Sequence, residues 1–177
     1  MADEAAKKTA LENHLKEDWR TVHDIWPNIA PGIAKSGTMR VASDVANSTQ
    51  TMANVTGLTF NALAGKTYSF RFVLEASSTA AACGLFYQFT GPASPTKFRF
   101  RIEFFAIGPT LTHEEISGFS TPTSNPSQLT ANKFTIIEGI LINGVNAGAV
   151  QMQFRCEAAA ETVTIGAGSN GEWRLLN

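Results

Sequence analysis

The sequence predicts an all-β domain, an antiparallel β-sandwich of jelly-roll type, carried behind an N-terminal amphipathic helical arm. Three observations predict it. Charge is concentrated at the front, where residues 1–26 hold four Lys/Arg and six Asp/Glu out of totals of 14 and 15. The apolar period changes from 3.6 to 2 after Val55, the change from helix to half-buried strand. Gly- and Asn-rich turns separate the alternating runs that follow, with no second helical stretch, which is the layout of a two-sheet all-β domain. An immunoglobulin-like sandwich is the alternative to the jelly roll.

The arm comes first. Asp3 suits an N-cap, with Glu4 in the first turn. Leu11, Leu15, Trp19, Val22 and Trp26 recur at three- and four-residue spacing and so share one helix face. Pro27 stops the helix and Pro31-Gly32 reinforces the stop. A narrow apolar stripe needs a covering surface. It packs either on its own domain or on another chain, and the two tryptophans favour the second, because large aromatics anchor interfaces. Leu11, Leu15, Trp19, Val22, Ile25 and Trp26 are therefore the candidate anchoring residues. Residues 27–54 read as a linker with one short strand at Met39 to Ala42.

The domain proper is expected over 55–177. Tyr68, Phe70, Phe72 and Leu74 alternate with Thr67, Ser69, Arg71 and Val73. Phe98, Phe100, Ile102 and Phe104 alternate with Lys97, Arg99, Arg101 and Glu103, and Val150, Met152, Phe154 and Cys156 with Gln151, Gln153, Arg155 and Glu157. These are strands with one wet face. Shorter strands are expected at 55–60, 81–89, 162–165 and 172–176, and residues 106–132 read as one long loop with Pro109, Pro122 and Pro126. Phe134 to Ile142 is apolar on both faces, so it is central or lies under an interface. Glu138 stands in register there with Phe134, Ile136, Ile140 and Ile142. A buried carboxylate needs a partner, so a cation across the sandwich or from a neighbouring subunit is expected. Glu138, Ile137 and Leu141, with Arg71, Arg99 and Arg101 on other strands, are the candidate subunit-interface or buried-pair residues.

Composition excludes several classes. Only 16% of residues are charged, and the net charge is −1, so no nucleic-acid partner is expected. No run of about 18 apolar residues occurs, and no apolar core follows the first residues, so neither a membrane span nor a secretory signal is expected. Gly166-Ala167-Gly168-Ser169-Asn170-Gly171 matches a dinucleotide-binding pattern, but the six residues after it read as a strand instead of the required helix. His113-Glu114-Glu115 lacks a second histidine at 117, and the helical pairs His14/Asp18 and Trp19/His23 supply too few ligands, so no metal is expected. Cys83 and Cys156 fall in apolar registers 73 residues apart and read as small buried hydrophobes. Asn47-Ser48-Thr49 and Asn54-Val55-Thr56 match glycosylation acceptors but carry no weight without a signal peptide. No catalytic residue, cofactor or enzymatic activity is expected, since no nucleophile–histidine–acid set is visible. The basic row Lys97, Arg99 and Arg101 reads as solvated or subunit-facing ion pairs; an anionic sugar or a capsid carboxylate is the alternative.

Four segments carry a resemblance. Residues 58–70 read Leu-x-Phe-x-x-x-Ala-Gly-x-x-Tyr-x-Phe. Ile136-Ile137-Glu138-Gly139 supplies a Glu-Gly pair in a strand, and Val150-Gln151-Met152-Gln153-Phe154 a strand after it. Thr162 to Ser169 forms a Thr-Val-x-Ile-x-x-Gly-Ser turn. Together they resemble a module of tailed-bacteriophage virion proteins, found on capsid decoration proteins, head fibres and tail or baseplate fibres. The resemblance implies a β-sandwich similar to tumour-necrosis-factor-type jelly rolls, a homotrimer, and attachment through the N-terminal part to the major capsid protein or another virion protein. It also implies a place on the capsid surface after synthesis in the host cytoplasm. One arm and one knob, without long fibre repeats, resemble a head decoration or short head fibre. A receptor- or surface-glycan-binding knob is the alternative, with a groove built by residues 106–132, Phe86 and Phe119. A glycan depolymerase is the third reading.

Overall fold

The computed structural model describes residues 35–80, 83–105, 111–124, 127–128, 133–159 and 161–177. The expected arm over 1–26, with all six candidate anchoring residues, lies outside the described residues. The compact unit that holds the strands spans Lys35–Asn177.

Among the described residues, twelve strands run in this order: β1 (Ser36–Arg40), β2 (Val45–Asn47), β3 (Ala53–Ala62), β4 (Thr67–Ser78), β5 (Gly84–Thr90), β6 (Lys97–Phe105), β7 (Leu111–Ser117), β8 (Ser127–Gln128), β9 (Lys133–Ile142), β10 (Gly148–Cys156), β11 (Val163–Ile165) and β12 (Asn170–Leu175). All pair antiparallel, in two sheets. The larger has the order β1-β12-β4-β9-β6-β7, with β11 joining β2 to β4; the smaller has the order β3-β10-β5-β8. From β2 to β11 the chain changes sheet at every connection except the β6–β7 hairpin.

Alternation explains why these segments are strands and which faces meet. Tyr68, Phe70, Phe72 and Leu74 of β4 and Phe98, Phe100, Ile102 and Phe104 of β6 are buried. They face Leu58 and Phe60 of β3, Leu85, Tyr87 and Phe89 of β5, and Val150, Met152 and Phe154 of β10, all buried too. Phe89 is the hub, with its ring centroid 5.4 Å from those of Phe70 and Phe72, 5.7 Å from Phe98 and 5.0 Å from Phe100. Packing of this β5 ring against rings of β4 and β6 locks the two sheets in place.

Several expectations need correction. Residues 36–40 and 45–47, in the stretch read as linker, are strands, with Met39 and Val41 in the core. Residues 106–132 are not one loop: β7 and β8 lie within them. The His113-Glu114-Glu115 segment is in β7, an edge strand on which only Ile116 is buried, so its sequence lacks the alternating apolar signal. Glu138 is not buried. Its register, with Phe134, Ile136, Ile140 and Ile142, is the outer face of β9, while Thr135, Ile137 and Leu141 point into the core.

The reason is Gly139. It is paired with Phe70 on one side and Phe100 on the other. A Cβ there would sit 2.2 Å from Phe70 Cζ and 2.7 Å from the Arg99 carbonyl oxygen. Rings from the flanking strands fill the core over the middle of β9, so its inward position there is a glycine, while Phe134, Ile136 and Ile140 turn outward. A second glycine shapes β3. Gly57 has φ +92 and stands at a register shift between β3 and β10, so Val55 and Leu58 both face inward. The Gln151 amide closes this bulge by donating from Nε2 to the Val55 and Leu58 carbonyls at 3.0 and 3.2 Å.

Candidate functional site

The outer face of the larger sheet holds the concentrated chemistry. Register places Glu172, Arg71, Glu138, Arg101 and Glu115 side by side on β12, β4, β9, β6 and β7. Charge alternates at every step of this row. Arg71 Nε donates to Glu138 Oε1 at 3.0 Å, and an Arg101 guanidinium nitrogen lies 3.7 Å from Glu138 Oε2 and 2.9 Å from Glu103 Oε1. The side chains of Arg71 and Glu138 are 44% and 46% exposed, so each bridge alone is worth at most about 1 kcal/mol. The ladder fixes orientation more than it adds stability.

The adjoining rows are different. Two residues along the strands lie Arg174, Ser69, Ile140, Arg99 and Ser117. Neither Arg99 nor Arg174 has an ion-pair partner among the described residues. Ile140, between them, is 48% exposed, and Phe134 at the other end of β9 is 64% exposed. An open groove of about 840 Å³ runs over this part of the face, with Arg71, Arg99, Arg101, Glu138, Ile140 and Arg174 on its walls. It is a shallow surface with apolar, cationic and acidic elements in fixed alternation.

The residues predicted from sequence separate accordingly. Glu138, Arg71 and Arg101 meet in the ladder, and Arg99 lies one row away on the same face. Ile137 and Leu141 are completely buried on the opposite face and cannot belong to this surface. Glu172, Glu115 and Arg174 were missed, because cross-strand register is not visible in one sequence. Their signal was their alternation with Gly171, Ile116 and Trp173.

The other motifs resolve into structure. Gly166 to Gly171 form the β11–β12 turn and the start of β12, with Ser169 N–H donating to the Gly166 carbonyl at 3.2 Å. Glu114 holds the following turn, accepting from Ser124 N–H and Oγ at 2.7 Å each. Phe119 stacks on Phe98 at 4.0 Å, and Arg155 lies 4.1 Å over the Phe86 ring, so both rings of the suggested glycan groove have protein partners. Asn47 is buried and its Nδ2 donates to the Thr51 and Phe154 carbonyls, which occupies the atom that a glycan would need. No group of three or more His, Cys, Asp or Glu that could hold a metal occurs among the described residues.

No protein-family profile and no curated protein matches the chain. Among solved structures it is similar to VP2 of the infectious bursal disease virus subviral particle, at 10% identity over 80% of this chain and 41% of that one, with a TM-score of 0.24. It is also similar to a lipoprotein from Bacteroides thetaiotaomicron, at 6% identity over 83% of this chain and 91% of that one, TM-score 0.24. A family 11 carbohydrate-binding module from Clostridium thermocellum shows 12% identity over 78% and 92%, TM-score 0.22. The chain spans about two fifths of the first of these. Similarity at this level decides neither fold family nor function.

Proposed function

We propose that this chain is a structural virion protein of a tailed phage, decorating or capping the capsid as a homotrimer held by its N-terminal arm. In this reading the domain is a jelly roll, and the outer face of its larger sheet packs against the other copies. The observation that carries the proposal is that face: Ile140 and Phe134 exposed on either side of an alternating Glu–Arg row. The sheet-changing connectivity supports the jelly-roll reading. Alternating charge specifies register between copies.

Three arms on one trimer bind together, so modest contacts give slow release. A protein that bridges assembled capsomers and not free ones stabilises the shell by mass action. The test is co-sedimentation with phage particles stripped of this protein. Trp19→Ala combined with Trp26→Ala is expected to abolish binding while the far-ultraviolet β signal persists. Retention of binding by the folded double variant would remove the arm from its role.

A second reading is favoured by one observation. The unpaired Arg99 and Arg174 flank an open groove, which suits an acidic glycan. Arg99→Ala with Arg174→Ala would then abolish binding on an acidic-glycan array and leave native mass unchanged.

A further inference from the structure

We propose that Cys83 and Cys156 form a redox modification site, at which oxidation closes a disulfide clasping the residue before β5 to the end of β10. This inference is independent of the virion reading. The two residues are 73 positions apart, yet their Sγ atoms are 2.6 Å from each other. Both are free thiols and both are buried. A disulfide needs its sulfurs at about 2.05 Å, so the bond is reached by a movement of roughly half an ångström.

The surrounding backbone already holds this geometry. Cys156 pairs with Leu85, two residues after Cys83. Glu157 N–H donates to the Gly84 carbonyl at 2.9 Å, Gly84 N–H donates to Glu157 Oε2 at 3.1 Å, and Cys156 N–H donates to the Thr49 carbonyl at 3.1 Å. These bonds hold the two strand ends beside one another while the sulfurs close the remaining distance. A metal is not a competing explanation, since no third ligand joins the pair among the described residues.

The oxidant is a small disulfide such as oxidised glutathione. One cysteine thiolate attacks it, forming a mixed disulfide and releasing one glutathione thiolate. The other cysteine thiolate attacks the protein sulfur of that mixed disulfide, forming the Cys83–Cys156 bond and releasing the second glutathione. Two protein thiols are oxidised, one glutathione disulfide is reduced to two thiols, and the two protons pass to the departing thiolates. Burial first, and the hydrogen bond with Cys83 second, push the Cys156 thiol up to about 11. Cys156 therefore holds little thiolate near neutral pH in the folded chain, and the bond forms during folding or local opening. A reducing compartment keeps the pair as thiols, and an oxidising one locks it.

The full chain is unfolded and refolded with oxidised and reduced glutathione, and in parallel with reductant alone. Intact mass, peptide mapping and thermal melting are read on the folded fraction. The expected result with glutathione is a loss of about 2 Da, the mass of two hydrogens, a Cys83–Cys156 peptide pair, and melting above that of the reduced protein. Cys83→Ser and Cys156→Ser lose the cross-link and the melting increment. Free thiols at both positions, or glutathione retained on each, would overturn the proposal. Where refolding yields little protein, the same masses are read on natively purified chain held in oxidised glutathione at raised pH. There too the cross-linked mass supports the clasp, and free or singly capped thiols overturn it.

Discussion

The two sheets expose two different ladders. On the smaller sheet, Asn54, Gln153 and Gln88 stand in one row across β3, β10 and β5. Gln88 Nε2 donates to Gln153 Oε1 and Gln153 Nε2 donates to Asn54 Oδ1, each at 2.7 Å. This ladder is neutral and self-satisfied, and its neighbours Thr59 and Asn61 are small and polar. On the larger sheet the corresponding row is fully charged, and the rest of that face leaves Ile140, Phe134, Arg99 and Arg174 uncovered. The first face is complete in water. The second has apolar area and unpaired cations that a covering surface would use, so the sandwich is asymmetric in what it asks of its surroundings.

Four substitutions and one titration sharpen this contrast. Phe89→Ala removes the ring on which both sheets rest and is expected to cost about 3–5 kcal/mol, read by urea denaturation. Gly139→Ala acts only beneath the charged ladder, driving a methyl group into the Phe70 ring and the Arg99 carbonyl, and is expected to cost about 1–3 kcal/mol. Gln153→Leu breaks the neutral ladder and strands the buried Gln88 amide, for about 1–2 kcal/mol. Glu138→Gln breaks the charged ladder at its centre, yet in the isolated subunit it is expected to cost under about 1 kcal/mol. That difference should shrink further in high salt, where exposed charges are screened. A Glu138 effect as large as that of Gln153, and insensitive to salt, would reverse the ranking of the two faces.

The smallest effect is the titration. Cys156 is raised from 9.0 to about 11 in the folded chain. Above pH 9 the unfolded chain releases this proton while the folded chain keeps it, so stability is complete below pH 9 and declines as pH rises toward 11. Cys156→Ser, or closure of the disulfide, should remove this component of the alkaline slope in denaturation measured from pH 8 to 11.

Most core strands were legible because apolar residues alternate without interruption in β4, β6 and β10. β9 was misread for a physical reason. Its outward residues are bulkier than its inward ones, because Phe70 and Phe100 of the flanking strands occupy the core space at Gly139. Parity counting assigns the larger residues to the interior and therefore places Glu138 there. β7 was missed as an edge strand with one buried residue. Within the site, Glu138 was found by its oddness among isoleucines. Glu172, Glu115 and the Cys83–Cys156 pair were not, since each depends on which strands lie next to one another. The sequence shows a strand's own period but not its neighbour.

Native mass by light scattering, on the wild-type chain and on two charge insertions, tests the asymmetry of the faces most directly. The wild type is expected near 57 kDa, three times the 19.0 kDa chain. Ile140→Asp, on the larger sheet, should fall to the mass of a single chain with the fold retained. Asn61→Asp, on the smaller sheet, should remain a trimer. A wild-type mass of one chain, or a trimer that survives Ile140→Asp, would contradict the assignment of the larger sheet as the face that other copies cover.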